Sequence, residues 1–318
     1  MVIEQLSLEN VQITSSPYYF AATTDSELTA LLASIKASGI LAPLIAYPSE
    51  TGIQLIDGFK RCQCARQLGI QSVPVMLLAH DSELMSRLMI ALQQRQTTLQ
   101  SNAAARARFL RLAHDLGLAR PALETLLKLL GLPAHDKLIR QYLAISQLPE
   151  PVLDYCLEKN FSLKQCFHLS KHPRELLVQL FEWKSRLHLT ASVIEEILNN
   201  FKDILRVEER SLPQLLEEDE LQQLIQATAS PQERTQRLRQ WAKQRRFPML
   251  SEIQARMQQY RHDMVLPDQL HIDWDDSLER QELRLSLKLK QAELWPELIK
   301  QLQHPSLTTG INQLLGEL

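Results

Sequence analysis

A short apolar strand that leads directly into a basic helix is the feature that most constrains the fold of this chain. It occupies residues 53–69, IQLIDGFKRCQCARQLG. Gly58 can adopt the positive φ that a sharp strand-to-helix turn needs, and Lys60 and Arg61 follow in the first helical turn. The first N–H groups of a helix lack intrahelical acceptors and lie at the positive end of its dipole, so the segment predicts a phosphate site. A plain strand–turn–helix with a solvated basic turn fits the same local pattern.

The composition indicates a mostly helical globular protein. Of its 318 residues, 45% are hydrophobic and only 8 are glycine, and Leu, Gln, Glu, Arg and Ala are frequent. These frequent residues favour helices, and the β-branched or alternating segments that favour strands are few. We therefore predict a helix-dominated α+β fold, in a chain long enough for two or three domains.

The sequence argues against a membrane span and against a zinc site. No apolar run approaches the roughly 20 residues needed to cross a bilayer, and the first residues lack the pattern of a secretory signal. We therefore predict a cytoplasmic protein. The four cysteines, at positions 62, 64, 156 and 166, match no zinc-binding spacing, so we expect reduced thiols and no metal site.

The pattern of residues 25–78 predicts a compact α/β domain at the N-terminus. Apolar residues at helical spacing predict a first helix that ends at Gly39. Residues 44–47 and 53–56 predict two strands, the basic helix follows, and residues 73–78 predict a third strand. We assign this domain to residues 1–95.

Positive charge is concentrated in the middle of the chain. Residues 95–190 carry a net charge of +6, whereas residues 1–94 carry −3 and residues 191–318 carry −5. A basic segment between two acidic ones favours contact with a polyanion. We therefore predict an all-α DNA-binding domain over residues 96–210.

Two short amphipathic helices joined by a tight turn predict a helix-turn-helix inside this basic segment. The first covers residues 123–130, the chain breaks at 131–133, and the second covers about 136–146. The start of the second helix would enter the major groove. The candidate DNA contacts are His135, Lys137, Arg140 and Gln141, with Arg106, Arg108, Arg111 and Lys164 on backbone phosphates. An ordinary helical hairpin has the same spacing.

The C-terminal part predicts a helical linker over 211–247 and a small α+β domain over 248–318. The basic helix at 234–246 is either a second DNA contact or a solvated face. Strict alternation at 269–274 and 282–290 predicts a hairpin across 275–280, with leucines at 283, 285, 287 and 289 on one face. A helix at about 292–302, or a second copy of the chain, must cover these leucines. Because a two-stranded sheet is marginal alone, we expect this domain to dimerise.

The order of these segments resembles the ParB family of chromosome- and plasmid-partition proteins from about residue 16 to about residue 205. The motifs that carry the resemblance are EL at 27–28, SIKASGILAP at 34–43, IDGFKRCQCA at 56–65, LG at 68–69, VP at 73–74, QR at 94–95, LPEPV at 148–152 and FSLK at 161–164.

The resemblance implies a ligand and partners. In the family, the glycine-led basic motif cradles the triphosphate of CTP, and nucleotide binding closes a dimer on DNA. The matching positions in this chain are Gly58, Lys60, Arg61 and Arg95, with Phe59 beside them. The resemblance also implies duplex DNA and a partition ATPase as partners, and a nucleoid-associated location.

The chain departs from the family pattern in three places. Phe59 stands where the family usually has a glutamate, and Ala91 and Leu92 stand where it usually has an acid and an amide. The early motif, SPYYF at 16–20, lacks its usual final arginine. Loss of hard oxygen ligands removes the usual means of holding Mg²⁺. We therefore predict CTP binding with no catalytic residues and no Mg²⁺ site.

Two other functions fit the same sequence. The chain could be a degenerate ParB-like adaptor or transcription regulator that binds no nucleotide. It could also be a nucleotide-dependent kinase or nuclease of the same superfamily, which needs carboxylates near the phosphate. Asp57 is the obvious carboxylate for that role.

Overall fold

The structure, a computed structural model, divides the chain into two compact units, Met1–Glu182 and Trp183–Leu318. It describes residues 2–12, 16–19, 25–50, 52–275, 278–289, 291 and 295–318. The helix-dominated α+β class predicted from the sequence is confirmed, with one small sheet in each unit. Within the described ranges no helix is long and apolar enough to cross a membrane. The four-segment division predicted from the sequence remains a prediction.

The first unit begins with a five-stranded mixed sheet. Its strands are β1 (Val2–Ser7), β2 (Val11–Gln12), β3 (Leu44–Ser49), β4 (Gly52–Asp57) and β5 (Ser72–Leu77). The order across the sheet is β1-β5-β3-β4-β2, with β1/β5 and β3/β4 antiparallel and β3/β5 and β2/β4 parallel. The three predicted strands are β3, β4 and β5. The two outer strands, β1 and β2, were not predicted from the sequence.

Helices α1 (Asp25–Ser38) and α2 (Phe59–Gln67) pack against each other beside this sheet. The side chains of Leu44 on β3 and of Leu55 and Ile56 on β4 are fully buried. These two strands are therefore closely packed parts of the core. Phe20, the last position of the early motif at 16–20, lies outside the described residues.

Eight helices complete the first unit. They are α3 (Leu84–Gln94), α4 (Gln96–Ser101), α5 (Ala103–Asp115), α6 (Arg120–Leu129), α7 (Asp136–Ile145), α8 (Glu150–Glu158), α9 (Leu163–Leu169) and α10 (Arg174–Glu182). Helix α5 is the centre of this part, because α7, α8 and α9 all pack on it. Three alanines on α5, at 104, 105 and 107, are buried and allow this close packing.

The turn between α6 and α7 is a glycine C-cap followed by a short connection. Gly131 has φ +73°, and the N–H of Leu132 donates to the carbonyl of Leu127 at 3.0 Å. Together with the bond from Gly131 N–H to Lys128 O, this is a Schellman-type helix end. Helix α7 then starts at Asp136, as the sequence predicted.

The second unit contains a helical part followed by a small α+β part. Its elements are α11 (Ala191–Val207), α12 (Leu212–Leu216), α13 (Asp219–Gln226), α14 (Pro231–Arg246), α15 (Pro248–Asp263), β6 (Leu270–Trp274), β7 (Leu283–Leu287), α16 (Trp295–Leu302) and α17 (Pro305–Glu317). The basic helix of the sequence analysis is α14. Its Arg245 pairs with Glu208 and Glu218, both of which precede α14 in the chain. Two further pairs join Arg239 to Glu196 and Arg246 to Asp203. Much of the positive charge of α14 is therefore neutralised within the unit, which favours a solvated face over a second DNA contact.

The predicted hairpin forms from β6 and β7. Leu270 and Ile272 of β6 are buried in a core with Met257 and Leu307, which lie on α15 and α17. Their cross-strand partners, Leu287 and Leu285, are 44% and 50% exposed. Of the predicted hairpin turn and the helix that follows it, residues 276–277, 290 and 292–294 lie outside the described residues.

Candidate anion-binding site

Gly58 makes the turn from β4 into α2, and its conformation requires a glycine. Its φ is +95°, and a Cβ at this position would lie 2.9 Å from Leu44 Cγ and 3.2 Å from Leu44 Cα. The turn is therefore both left-handed and pressed against β3. Helix α2 starts at the next residue, so the first-turn N–H groups of Phe59, Lys60 and Arg61 are the ones that an ordinary α-helix leaves without intrahelical acceptors.

A cavity of about 410 Å³ lies at this start of α2. Its volume falls within the range of about 300–1,000 Å³ that is typical of small-molecule sites. The charged residues that line it are Asp57, Lys60, Arg61, Arg95 and Arg108. Four cations and one carboxylate give the lining a strong positive balance. The structure thus brings together Gly58 and all four of the other positions predicted for phosphate binding, which include Phe59.

Arg61 uses much of its guanidinium to hold the chain around the cavity. Its Nη1 donates to the carbonyls of Ala42 and Pro43 at 2.6 and 2.8 Å, and its Nη2 donates to Asp57 Oδ2 at 2.8 Å. These bonds fix the segment before β3 against α2. Arg61 therefore contributes charge and rigidity to the site, while Lys60 contributes a second cation from the first turn of α2.

Arg95 closes the far side of the cavity. Its Nη2 donates to the carbonyls of Tyr18 and Ile56, each at 3.1 Å, and its guanidinium carbon lies 5.8 Å from the centre of the Phe59 ring. Burial lowers the pKa of Arg95 from its ordinary value, and the nearby Asp57 carboxylate partly offsets this effect. Because an arginine titrates far above neutrality, Arg95 stays charged at physiological pH.

Phe59 gives the cavity an apolar wall. The ring is buried and packs on Tyr19 with ring centroids 5.3 Å apart. Ala91 and Leu92 are also buried apolar side chains. The residues here do not fit Mg²⁺, because Asp57, the carboxylate of this cavity, already pairs with Arg61. In the described part of the chain no group of three His, Cys, Asp or Glu side chains could hold a metal ion.

Arg108 lines the cavity from α5, and the sequence reasoning placed it wrongly. We expected a surface contact with backbone phosphate, but only 8% of its side chain is exposed. Its Nη2 donates to Glu150 and, at 2.7 Å, to Asp154 Oδ1, both on α8. The signal that could have found it is its setting among the small residues AAARA at 103–107, which predicts close packing around α5.

The predicted DNA contacts at the start of α7 lie on the surface of the first unit. His135 is the N-cap of α7, where its Nδ1 accepts from the N–H of Leu138 at 3.1 Å. Lys137 is exposed, and Gln141 is half-buried. Arg140 is 74% exposed and pairs with Asp136 at 2.5 Å. The structure therefore leaves Lys137 and Arg140 accessible on one helix, with their charge partly offset by one carboxylate.

The other three predicted DNA contacts, Lys164, Arg106 and Arg111, differ in exposure. Lys164 is exposed near the start of α9, next to the capping box formed by Ser162 and Gln165. Arg106 is half-buried: its Nη1 donates to the carbonyl of Gln100 at 3.2 Å, and its guanidinium carbon lies 5.7 Å from the centre of the Tyr142 ring. Arg111 pairs with Asp115 at 2.5 Å. Among these residues, Lys164 is the one best exposed for a phosphate contact.

These features define a small α/β domain with a cationic cavity at a helix start, followed by a helical part. Residues 2–93 match the family model of the ParB N-terminal domain. The match confirms, for that part of the chain, the resemblance predicted from the sequence. A comparison with curated proteins finds no significant match.

Three of the solved structures that resemble the chain are structures of ParB proteins. A C-terminally truncated ParB from Caulobacter crescentus complexed with CTP-gamma-S is 17% identical, with 57% of this chain and 99% of that one covered and a TM-score of 0.28. The same truncated protein complexed to the centromeric parS site is 16% identical, with 62% and 98% covered and a TM-score of 0.32. A Pnob8-like ParB-N domain is 17% identical, with 62% and 88% covered and a TM-score of 0.39. Identities and TM-scores this low transfer no ligand to this chain.

Proposed function

We propose that this chain is a ParB-like DNA-binding protein that acts as a dimer and binds a nucleoside triphosphate, namely CTP, without hydrolysing it. The observation that carries the nucleotide part is the convergence of four cationic side chains and one carboxylate on the cavity at the start of α2. A triphosphate is the small-molecule class that such a lining suits, because each phosphate oxygen accepts charge-assisted hydrogen bonds. The family-model match to residues 2–93 supports the same assignment.

The pairing of Asp57 with Arg61 is the reason that we propose CTP binding without CTP hydrolysis. Asp57 Oδ2 accepts from Arg61 at 2.8 Å, and Arg61 in turn holds two backbone carbonyls. A carboxylate fixed in this way is neither a free metal ligand nor a base placed against a water. The apolar wall formed by Phe59 provides no replacement. We therefore favour a nucleotide-binding protein over a kinase or nuclease.

The DNA part of the proposal rests on α7 and on the charge of the middle segment. Residues 95–190 carry a net charge of +6, and α7 presents Lys137 and Arg140 at the surface. A short helix after a tight turn, with cations at its exposed start, suits insertion into the major groove. We retain His135 and Gln141 as candidate base contacts and Arg106 and Lys164 as candidate phosphate contacts. A nucleoid-associated location and a partition ATPase partner belong to the same proposal.

Calorimetric titration tests the nucleotide part. We expect the full chain to bind CTP in buffer containing EDTA, and Lys60→Gln to weaken binding by about tenfold, because a charge-assisted phosphate contact is lost. Lys36→Gln is the matched control, since Lys36 is exposed on α1 and does not line the cavity. Absence of heat with CTP, ATP, GTP and UTP at low salt would remove nucleotide binding from the proposal.

Fluorescence anisotropy with labelled duplex DNA tests the DNA part separately. We expect binding that weakens as salt rises, and a shallower salt dependence in the Lys137→Gln/Arg140→Gln double variant. Lys36→Gln again serves as control. Equal affinity of the double variant and the control for every duplex tested would show that α7 is not the DNA-binding element.

One observation favours the adaptor as a second candidate. Arg61 is engaged by two carbonyls and Asp57 in the structure, so one of the predicted phosphate contacts already has a structural role. An adaptor that uses the same layout only to support its fold would show this arrangement. The calorimetric titration separates the two functions, because the adaptor binds no nucleotide.

A further inference from the structure

Arg108 extends the lining of the cavity to the helical part of the first unit. It lies on α5, in the helical part, about one turn after Ala105, which lines the same cavity. Lys60 and the start of α2 lie in the α/β part. Cationic side chains from both parts therefore face one cavity.

The hydrogen bonds of Arg108 leave one end of its guanidinium unused. The carboxylates of Glu150 and Asp154, which lie on α8, both accept from Nη2. Nη1 is buried, and within the described ranges it has no hydrogen-bond acceptor. A guanidinium carries five N–H donors, and a buried donor without an acceptor is costly. Because Arg108 lines the cavity, an acceptor bound there that reached Nη1 would remove that cost.

We propose that Arg108 is a direct ligand of the anion in the cavity, donating from Nη1 to a phosphate oxygen of the group bound at Lys60 and the first turn of α2. The inference rests on the proposed nucleotide binding and extends the site to the helical part of the unit. The ligand class is a polyphosphate, either the triphosphate of a nucleotide or a free inorganic chain, because both present the same oxygens.

The carboxylates of Glu150 and Asp154 compete with the anion for Arg108. The Glu150 side chain is 75% exposed and that of Asp154 is 43% exposed, whereas that of Arg108 is 8% exposed. Loss of Glu150 therefore leaves Arg108 neutralised by Asp154 and costs the fold little. The same loss removes a negative charge that repels the anion. If Arg108 served only to hold α8, the loss of Glu150 would weaken anion binding instead. The Arg108–Glu150 pair would then be part of what keeps the cavity lining in place.

The experiment measures Kd by calorimetry for CTP, inorganic triphosphate and cytidine with the full chain. We expect Arg108→Gln to weaken CTP and triphosphate binding by about tenfold. Arg108→Lys should restore part of the affinity, and Glu150→Gln should tighten binding by about threefold. Arg111→Gln is the matched control, since Arg111 is on the same helix and does not line the cavity. Thermal melts show which variants are folded.

The outcomes separate this inference from the proposed function. If the wild-type chain binds CTP and Lys60→Gln weakens it, but Arg108→Gln behaves as Arg111→Gln, then Arg108 is not a ligand and the nucleotide function stands. If Arg108→Gln does not fold, Glu150→Gln decides, and unchanged or weaker binding overturns the inference. If the wild-type chain binds neither CTP nor triphosphate, the proposed function fails. Equal Kd for CTP and triphosphate identifies the polyphosphate chain as the recognised group, and tighter binding of CTP identifies the nucleotide.

Discussion

A Cβ on Gly58 would lie 2.9 Å from Leu44 Cγ, so the turn into α2 and strand β3 are in contact with no room for a side chain. Neither residue can move easily, because Leu44 is fully buried and Gly58 is the residue that joins β4 to α2. The start of α2, where we place the anion, is therefore held at a fixed position relative to the sheet.

This contact predicts that Gly58→Ala destabilises the protein. The substitution combines a positive φ, which costs an L-residue roughly 1–2 kcal/mol, with overlap against Leu44, so we expect a loss of about 3 kcal/mol in the free energy of unfolding. Urea denaturation followed by circular dichroism measures it. Gly39→Ala is the matched control, because Gly39 also has a positive φ, +69°, but nothing lies within 4 Å of its Cβ position. We expect about 1 kcal/mol there, and equal losses would show that the contact with Leu44 is unimportant.

Asn102 predicts a second stability effect, at the junction of α4 and α5. Its Oδ1 accepts from the N–H of Ala105 at 3.0 Å, and its Nδ2 donates to Leu157 O at 2.9 Å and to Asn160 Oδ1 at 3.1 Å. The side chain is thus both a helix N-cap and a buried link between α5 and the end of α8. We expect Asn102→Ala to cost about 2–3 kcal/mol, measured by urea denaturation.

The comparison for that variant is Ser162→Ala, which removes an exposed N-cap whose side chain accepts from the N–H of Gln165, within the same helix, at 3.3 Å. We expect about 1 kcal/mol for this cap alone. A loss at Asn102 no larger than the loss at Ser162 would mean that the two bonds to α8 contribute nothing to stability.

The sequence was sufficient where local chemistry decides the structure. Gly58 between an apolar strand and a basic segment predicted the turn and the start of α2, and the glycine at 131 predicted the break before α7. These features need only a residue that tolerates positive φ and a change in hydrophobic period. The mostly helical class likewise follows from local propensities summed over the chain.

The sequence was insufficient where distant segments meet. β1 pairs with β5 over a separation of about 70 residues, and its exposed Val2 and Ile3 give no alternating pattern that would predict a strand. Arg108 reads as one basic residue among several on α5, and only the packing of α8 on α5 shows that it is buried. A periodicity gives the face of a helix, but it does not give the element that covers that face.

Tyr18 predicts a stability change at alkaline pH. The side chain is fully buried, within the described ranges its hydroxyl has no hydrogen-bond partner, and desolvation raises its pKa to about 12. The neutral phenol is therefore favoured in the folded state. Because the folded pKa lies above the unfolded one, this stabilisation is complete below about pH 10 and is lost as the pH rises towards 12.

Tyr18→Phe tests whether the loss of stability at alkaline pH comes from ionisation of Tyr18. The variant removes a buried hydroxyl that has no partner, so we expect unfolding free energy at pH 7 to be unchanged or slightly higher. Between pH 10 and 12, where the wild type loses stability through Tyr18, the variant should lose less. Urea denaturation at a series of pH values measures both. Parallel pH profiles for the two proteins would show that Tyr18 does not titrate in this range.

We predict that the chain dimerises through the exposed leucines of β7. Leu285 and Leu287 lie opposite Ile272 and Leu270, on the face that β6 buries, yet each remains about half exposed. Water-exposed leucines beside a packed core favour a second copy as their cover, since pairing two such hairpins would bury apolar surface on both.

We expect Leu287→Lys to weaken self-association by at least tenfold, as measured by sedimentation equilibrium over a range of concentrations. Arg284→Gln is the control on the same strand, because Arg284 pairs with Asp273 in the hairpin register, outside the leucine face. A wild-type chain that sediments as a monomer at every concentration, or equal self-association of the two variants, would show that β7 is not the interface.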